Sequence, residues 1–134
     1  MKIYILGGTE TFIVNIKRVL ETSGINDVTA LTLLKATPQQ LSTHAFDCEI
    51  LVASPSGFEK ITGAHMDALP KLKFISTTSV GTDWIDLAAA KTRGIIVSNE
   101  KGVNAESVGE HVFGMILDIA KRITEADRGI REKG

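Results

Sequence analysis

The chain has 134 residues, and its 15 Lys and Arg against 16 Asp and Glu give a net charge of −1, with no basic block to draw a nucleic acid or an anionic membrane. Its 43% hydrophobic and 23% charged residues are ordinary for a folded globular domain, and a chain of this size can bury roughly 68–70% of its unfolded surface without staples. A lone cysteine, Cys48, excludes an internal disulfide and suits a reducing compartment; the N-terminal apolar run is too short for a signal peptide or a membrane span, so the expected location is cytoplasmic.

The first run, KIYIL (2–6), is continuously apolar, as expected of a strand covered on both faces by helices. GGTE (7–10) then reads as a tight turn with Thr9 capping a helix. In that helix Phe12, Ile16, Val19 and Leu20 recur at helical spacing to about Thr22, and Gly24 stops it. DVTALTL (27–33) alternates, placing Thr29, Leu31 and Leu33 on one face, which suits the edge of a sheet. A short helix follows Pro38, CEILVAS (48–54) is a third strand, and FEKITGAHMDAL (58–69) reads as a helix. LKFIS (72–76) is the fourth strand; Asp86 is a good N-cap for LAAAKTR, which Gly94 ends; IIVSN (95–99) is the fifth. Strands and helices in alternation imply an α/β fold with a parallel sheet and right-handed crossovers. Five strands favour the flavodoxin-like order 2-1-3-4-5, flanked by helices.

The last segment breaks this rhythm. Residues 104–125, NAESVGEHVFGMILDIAKRITE, read as one long helix, with Val108, Val112, Met115, Ile116, Ile119 and Ile123 in a stripe that Phe113, Leu117 and Ala120 widen. A helix apolar around that much of its circumference must be covered by more than its own domain. Gly109 and Gly114 each cost about 1 kcal/mol relative to Ala, a cost that close approach of another backbone would offset. The expected organisation is a flavodoxin-like domain over 1–103 and an interface helix over 104–134 whose partner is another domain, another subunit, or both.

Ligands of open parallel sheets bind beyond the carboxyl ends of the strands, near the switch in strand order. There the fourth strand runs into TTSVGTD (77–83), where Ser79, Val80 and Gly81 can present successive backbone N–H groups as a cradle for an anion. The hydroxyls of Ser54, Thr78 and Ser79 add donors. The competing reading is an ordinary turn built from Ser, Thr, Asp and Gly, with Asp83 and Asp86 capping. Neither G-x-G-x-x-G nor G-x-x-x-x-G-K-[ST] occurs in the chain. His44, His65 and His111 lack metal-ligand spacing, so no metal site is expected. No G-x-S-x-G elbow is present for nucleophilic catalysis.

From Leu69 to Ile123 the chain resembles the D-isomer-specific 2-hydroxyacid dehydrogenases. The resemblance rests on the strand followed by S-x-G-x-D-x-I-D, a helix ending in R-G-I, then V-S-N, and the N-x-x-S-V-x-E-H helix start. It implies a two-domain enzyme in which a flavodoxin-like domain binds a small 2-hydroxy or 2-oxo acid and a Rossmann domain binds NAD or NADP. By position, the backbone of Val80 and Gly81 would hold the substrate carboxylate, with Ser54 and Ser79 as side-chain contacts. Asn104 to Val108 would lie at the hinge beside the nicotinamide, and the long helix would pack in a homodimer interface. The family usually has proline where this chain has Lys101, so the hinge loop is expected to bend differently. The family's catalytic Arg, Glu and His fall beyond Gly134, and His111 does not match that histidine. No catalytic residue is therefore assigned in this chain, which is expected to be an N-terminal piece, inactive alone and lacking its NAD-binding domain. The alternative is a stand-alone flavodoxin-like module that binds or senses a small anion.

Overall fold

The computed structural model describes residues 1–133; Gly134, the end of the 104–134 segment, lies outside the described residues. Residues Met1 to Lys101 form one compact unit, and the chain from Gly102 onward forms a second.

In the first unit, strands β1 (Ile3–Leu6), β2 (Val28–Leu31), β3 (Ile50–Ala53), β4 (Phe74–Thr77) and β5 (Ile96–Ser98) alternate with helices α1 (Glu10–Thr22), α2 (Pro38–His44), α3 (Gly63–Asp67) and α4 (Leu87–Thr92). All neighbouring strands pair in parallel, in the expected order β2-β1-β3-β4-β5. Alternate residues of the central strands feed two cores. Tyr4, Leu6, Leu51, Ala53 and Ile75 face a large cluster that includes Leu41 of α2, Met66 of α3 and Ala90 of α4. Ile3, Ile5 and Val28 face a smaller one closed by Ile13 of α1. Continuous apolar runs in β1 and β3 follow from this two-sided burial. The alternating β2 stands at an edge, as its pattern indicated. β5 is the other edge, and its Ile96 is 64% exposed, so an apolar run did not signify burial there.

Two helices differ from their sequence patterns. The apolar spacing over 58–69 suggested one helix, but only Gly63–Asp67 is helical. Phe58 and Ile61 are buried in the large core, and Ile61 forms a parallel bridge with Ile85 instead of continuing a helix. In the second unit, the helix expected over 104–125 is α5 (Ala105–Lys121), ended by Arg122 in the left-handed conformation at φ 55, and followed by α6 (Ile123–Lys133). At the break the Asp118 carboxylate accepts from the Thr124 N–H at 2.7 Å and from the Thr124 hydroxyl at 2.9 Å. An anionic oxygen thus caps the start of α6, where it also suits the helix dipole. No residue of α5 is buried, and Phe113, Ile116 and Ile119 are all exposed. Among the described residues, no helix is long and apolar enough to cross a membrane.

Candidate functional site

The carboxyl ends of β1, β3 and β4 share one rim. At the first of these, Gly7 and Gly8 both take positive φ, 86 and 90, and a Cβ on Gly7 would sit 2.6 Å from Gly57 Cα. The two turns are therefore in backbone contact. Gly8 N–H donates to Ser56 Oγ at 2.6 Å, Ser54 and Ser56 hydroxyls lie 3.1 Å apart, and Ser54 N–H donates to Leu6 O at 3.1 Å. Thr9 caps α1 by accepting from Phe12 N–H. GGTE is thus a filled turn whose Gly8 amide is already bonded, as its sequence suggested.

The end of β4 is built differently. Thr77 is the buried polar side chain of the described core, 1% exposed, and its Oγ1 accepts from Ser79 N–H at 3.0 Å. The carbonyls of Ser79, Val80 and Gly81 each accept a hydrogen bond from another part of the chain. Ser79 O accepts from Glu100 N–H at 3.1 Å. Val80 O accepts from the Asn99 side-chain amide at 2.6 Å. Gly81 O accepts from Ser79 Oγ at 2.7 Å and from Trp84 Nε1 at 3.1 Å. The described chain has no cis peptide bonds, and in a planar trans peptide the C=O of one residue and the N–H of the next point oppositely. Fixing those three carbonyls therefore turns the N–H groups of Val80, Gly81 and Thr82 away from their braces. Among the described residues, none of these three amides has an acceptor. Val80 and Gly81 are exposed and Thr82 is half-buried. Successive free N–H groups of this kind can bind an anion.

The loop is anchored behind as well. Trp84 stacks on Phe58 with centroids 6.4 Å apart, and Phe58 meets the His65 ring edge-on at 6.0 Å. His65 Nε2 lies 3.0 Å from Ala36 O, and its Nδ1 lies 3.2 Å from Thr62 N and 2.8 Å from Thr62 Oγ1. A carbonyl can only accept, so Nε2 carries the proton and Nδ1 accepts. Ile61 N–H donates to Trp84 O and Asp86 N–H to Ile61 O, at 2.8 and 2.9 Å. The loops after β2, β3 and β4 are thereby tied together.

Of the residues singled out in the sequence, Ser79, Val80 and Gly81 lie together at the tip of β4. Ser54 follows the paired position on β3, since Ala53 is in register with Thr77. Of the expected amides, Ser79 N–H is bonded within the turn, while those of Val80 and Gly81, and of Thr82 beside them, are left without an acceptor among the described residues. Asn104 and Val108 belong to the second unit. Asn104 stands at the N-cap of α5 without a side-chain capping bond, and Val108 N–H donates to Asn104 O at 2.9 Å. Sequence reasoning missed Thr77, Thr82 and Asn99. The available signal was the hydroxyl run itself, since a Thr at the last buried position of a strand needs a polar partner. Cys48 is no candidate nucleophile, because burial pushes its thiol up to about 12.

Fold and rim together define an open α/β domain with an amide cradle beyond the carboxyl ends of its strands. Residues 11–126 match the family described as D-isomer specific 2-hydroxyacid dehydrogenase, catalytic domain, and the chain belongs to that family. A glyoxylate reductase from Thermofilum pendens is 49% identical over 73 residues, 54% of this chain and 22% of that protein. An erythronate-4-phosphate dehydrogenase from Shewanella oneidensis is 38% identical over 93 residues, 69% of this chain and 23% of that protein. The D-lactate dehydrogenase of Aquifex aeolicus complexed with NAD and lactic acid superposes with a TM-score of 0.75 at 26% identity, over 98% of this chain and 37% of that one. For the NAD-dependent formate dehydrogenase of Staphylococcus aureus in complex with NAD the values are 0.69, 27%, 96% and 41%. The chain thus spans less than a quarter of these curated relatives. The turn after β1 does not fit the pyrophosphate of a dinucleotide: no G-x-G-x-x-G occurs, and its Gly8 amide is already bonded to Ser56 Oγ.

Proposed function

We propose that residues 1–103 are the substrate-binding domain of an NAD- or NADP-dependent oxidoreductase that moves a hydride between a nicotinamide and a small 2-hydroxy or 2-oxo acid. The observation that carries this reading is the set of three free amides at Val80, Gly81 and Thr82, on the rim where open α/β sheets take their ligands. Main-chain donors suit a carboxylate, because charge-assisted hydrogen bonds are about twice as strong as neutral ones. Ser54 is the neighbouring hydroxyl, and Ser79 contributes by shaping the turn. Asn104 and Val108 face the nicotinamide, and the exposed stripe of 104–125 pairs with a second copy. Cofactor, acid-base histidine and orienting arginine come from an NAD-binding domain outside these residues, so no catalytic residue is assigned within them.

The test is calorimetric titration of the chain with glyoxylate and with glycolaldehyde, which lacks the carboxylate. Saturable binding of glyoxylate alone is expected; equal behaviour of the two compounds overturns the proposal. The isolated chain is expected to show no NADH oxidation with glyoxylate, hydroxypyruvate or pyruvate, since general acid-base catalysis alone is worth about 10²–10⁴-fold. Self-contained cores in the first unit also suit a stand-alone small-anion module. An open frame encoding a strand and G-x-G-x-x-G downstream favours the enzyme, and a stop codon the module.

A further inference from the structure

We infer that Trp84 and Asn99 are positioning residues that aim the cradle amides at the ligand without touching it; this rests on the carboxylate reading above. The proton inventory of the turn assigns the roles. Ser79 Oγ donates its one proton to Gly81 O at 2.7 Å, so the 2.7 Å contact with Thr77 must be donated by the threonine hydroxyl. Trp84 Nε1 donates to the same serine oxygen at 3.1 Å. A serine hydroxyl offers one donor and two acceptor sites, and here all three are taken. Ser79 has nothing left for a ligand, and Trp84 completes its shell while also binding Gly81 O directly. Asn99 does the equivalent for Val80 O.

Without Asn99 the Val80–Gly81 plane loses its brace; without the Trp84 N–H the Gly81–Thr82 plane is left to the Ser79 hydroxyl alone, itself then short of one of its partners. A plane rotated by half a turn would present a carbonyl oxygen to an incoming carboxylate, replacing attraction with repulsion. The two residues therefore act through the Gly81–Thr82 and Val80–Gly81 peptides. Trp84 is further fixed by its stacking on Phe58, so Trp84→Phe removes the N–H while keeping a ring in place. Asn99 is exposed, so Asn99→Ala tests the second brace without disturbing the core.

The experiment is a glyoxylate titration of ¹⁵N-labelled wild type, Trp84→Phe and Asn99→Ala, following the amide resonances of Val80, Gly81 and Thr82. In the wild type all three move and saturate together. In each variant the dissociation constant rises about tenfold, and the Gly81 or Thr82 resonance is displaced before ligand is added, while β1 and β2 resonances and the thermal midpoint stay close to wild type. Variants that bind as wild type, with unchanged resonances in the turn, overturn the positioning role while leaving the carboxylate reading intact. A wild type whose three amides do not respond sinks the carboxylate reading and the positioning role with it. Should Trp84→Phe fold poorly, Asn99→Ala decides the outcome alone.

Discussion

Thr77 shows how much one buried hydroxyl can organise. It accepts from Ser79 N–H and meets Ser79 Oγ, so Thr77→Val, nearly equal in volume, leaves a partly buried donor unsatisfied. The expected loss is about 1–3 kcal/mol in urea denaturation, whereas Thr78→Val should change little, because its hydroxyl lies 3.4 Å from Ala53 O. Two glycines near the rim should also part company. Gly7→Ala meets the Gly57 backbone at a positive φ, and neither can yield; a loss of about 2–4 kcal/mol is expected. At Gly81 the φ is not positive, and a Cβ would meet only the Asp83 carboxylate at 2.7 Å, a side chain able to swing away. Gly81→Ala should therefore stay within about 0.5 kcal/mol of wild type in stability but bind glyoxylate less well. Comparable folding defects in both variants would contradict this contrast.

At the scale of elements, strand order was legible because apolar runs and turn residues alternate so regularly that few topologies remain. Helix limits were less so. Phe58 and Ile61 sit at helical spacing relative to Met66 and Leu69, yet Ile61 bridges to Ile85 in the loop after β4 and Phe58 stacks on Trp84 of the same loop, tertiary demands invisible in one segment. The corner at Arg122 was equally hidden, because nothing in the composition of 104–125 shows that Asp118 reaches six residues ahead to Thr124. Asp118→Ala should remove about 1 kcal/mol of local protection from the Thr124 amide, read by hydrogen exchange; unchanged exchange would mean that the corner is held otherwise. The turn at the tip of β4 was legible, since Ser-Val-Gly after a strand is a recognisable turn, and two of its three expected free amides, Val80 and Gly81, are unbonded among the described residues. The shift to Val80–Thr82 was not legible, because it depends on how the hydroxyls of Thr77 and Ser79 and the Trp84 N–H are paired within the turn.

For the whole molecule, Glu49 joins distant parts of the first unit. Its carboxylate accepts from Lys2 N–H at 2.9 Å and from Lys73 Nζ at 3.2 Å, and chiefly the first of these holds its pKa down from 4.5 to about 2. A carboxylate with a depressed folded pKa stabilises the fold above its unfolded value and loses that contribution as pH falls through the folded one. Glu49→Gln should therefore lower the melting temperature at pH 7, with the difference narrowing below pH 4.5 and closing near pH 2; a gap independent of pH would exclude this account. The uncovered face of α5 sets the other global expectation. Phe113 is 62% and Ile119 79% exposed, and apolar patches of this kind mark association. Light scattering should give twice the chain mass, and Phe113→Glu should halve it; a wild-type monomer at high concentration would count against pairing. The three outward amides carry a last implication. Under the proposed carboxylate reading, anchoring written into the main chain would be indifferent to the identity of the side chains at Val80 and Thr82. Substitution at those two positions would then retune which acid is preferred without eroding the grip on its charged end, and libraries seeking new selectivity should begin there.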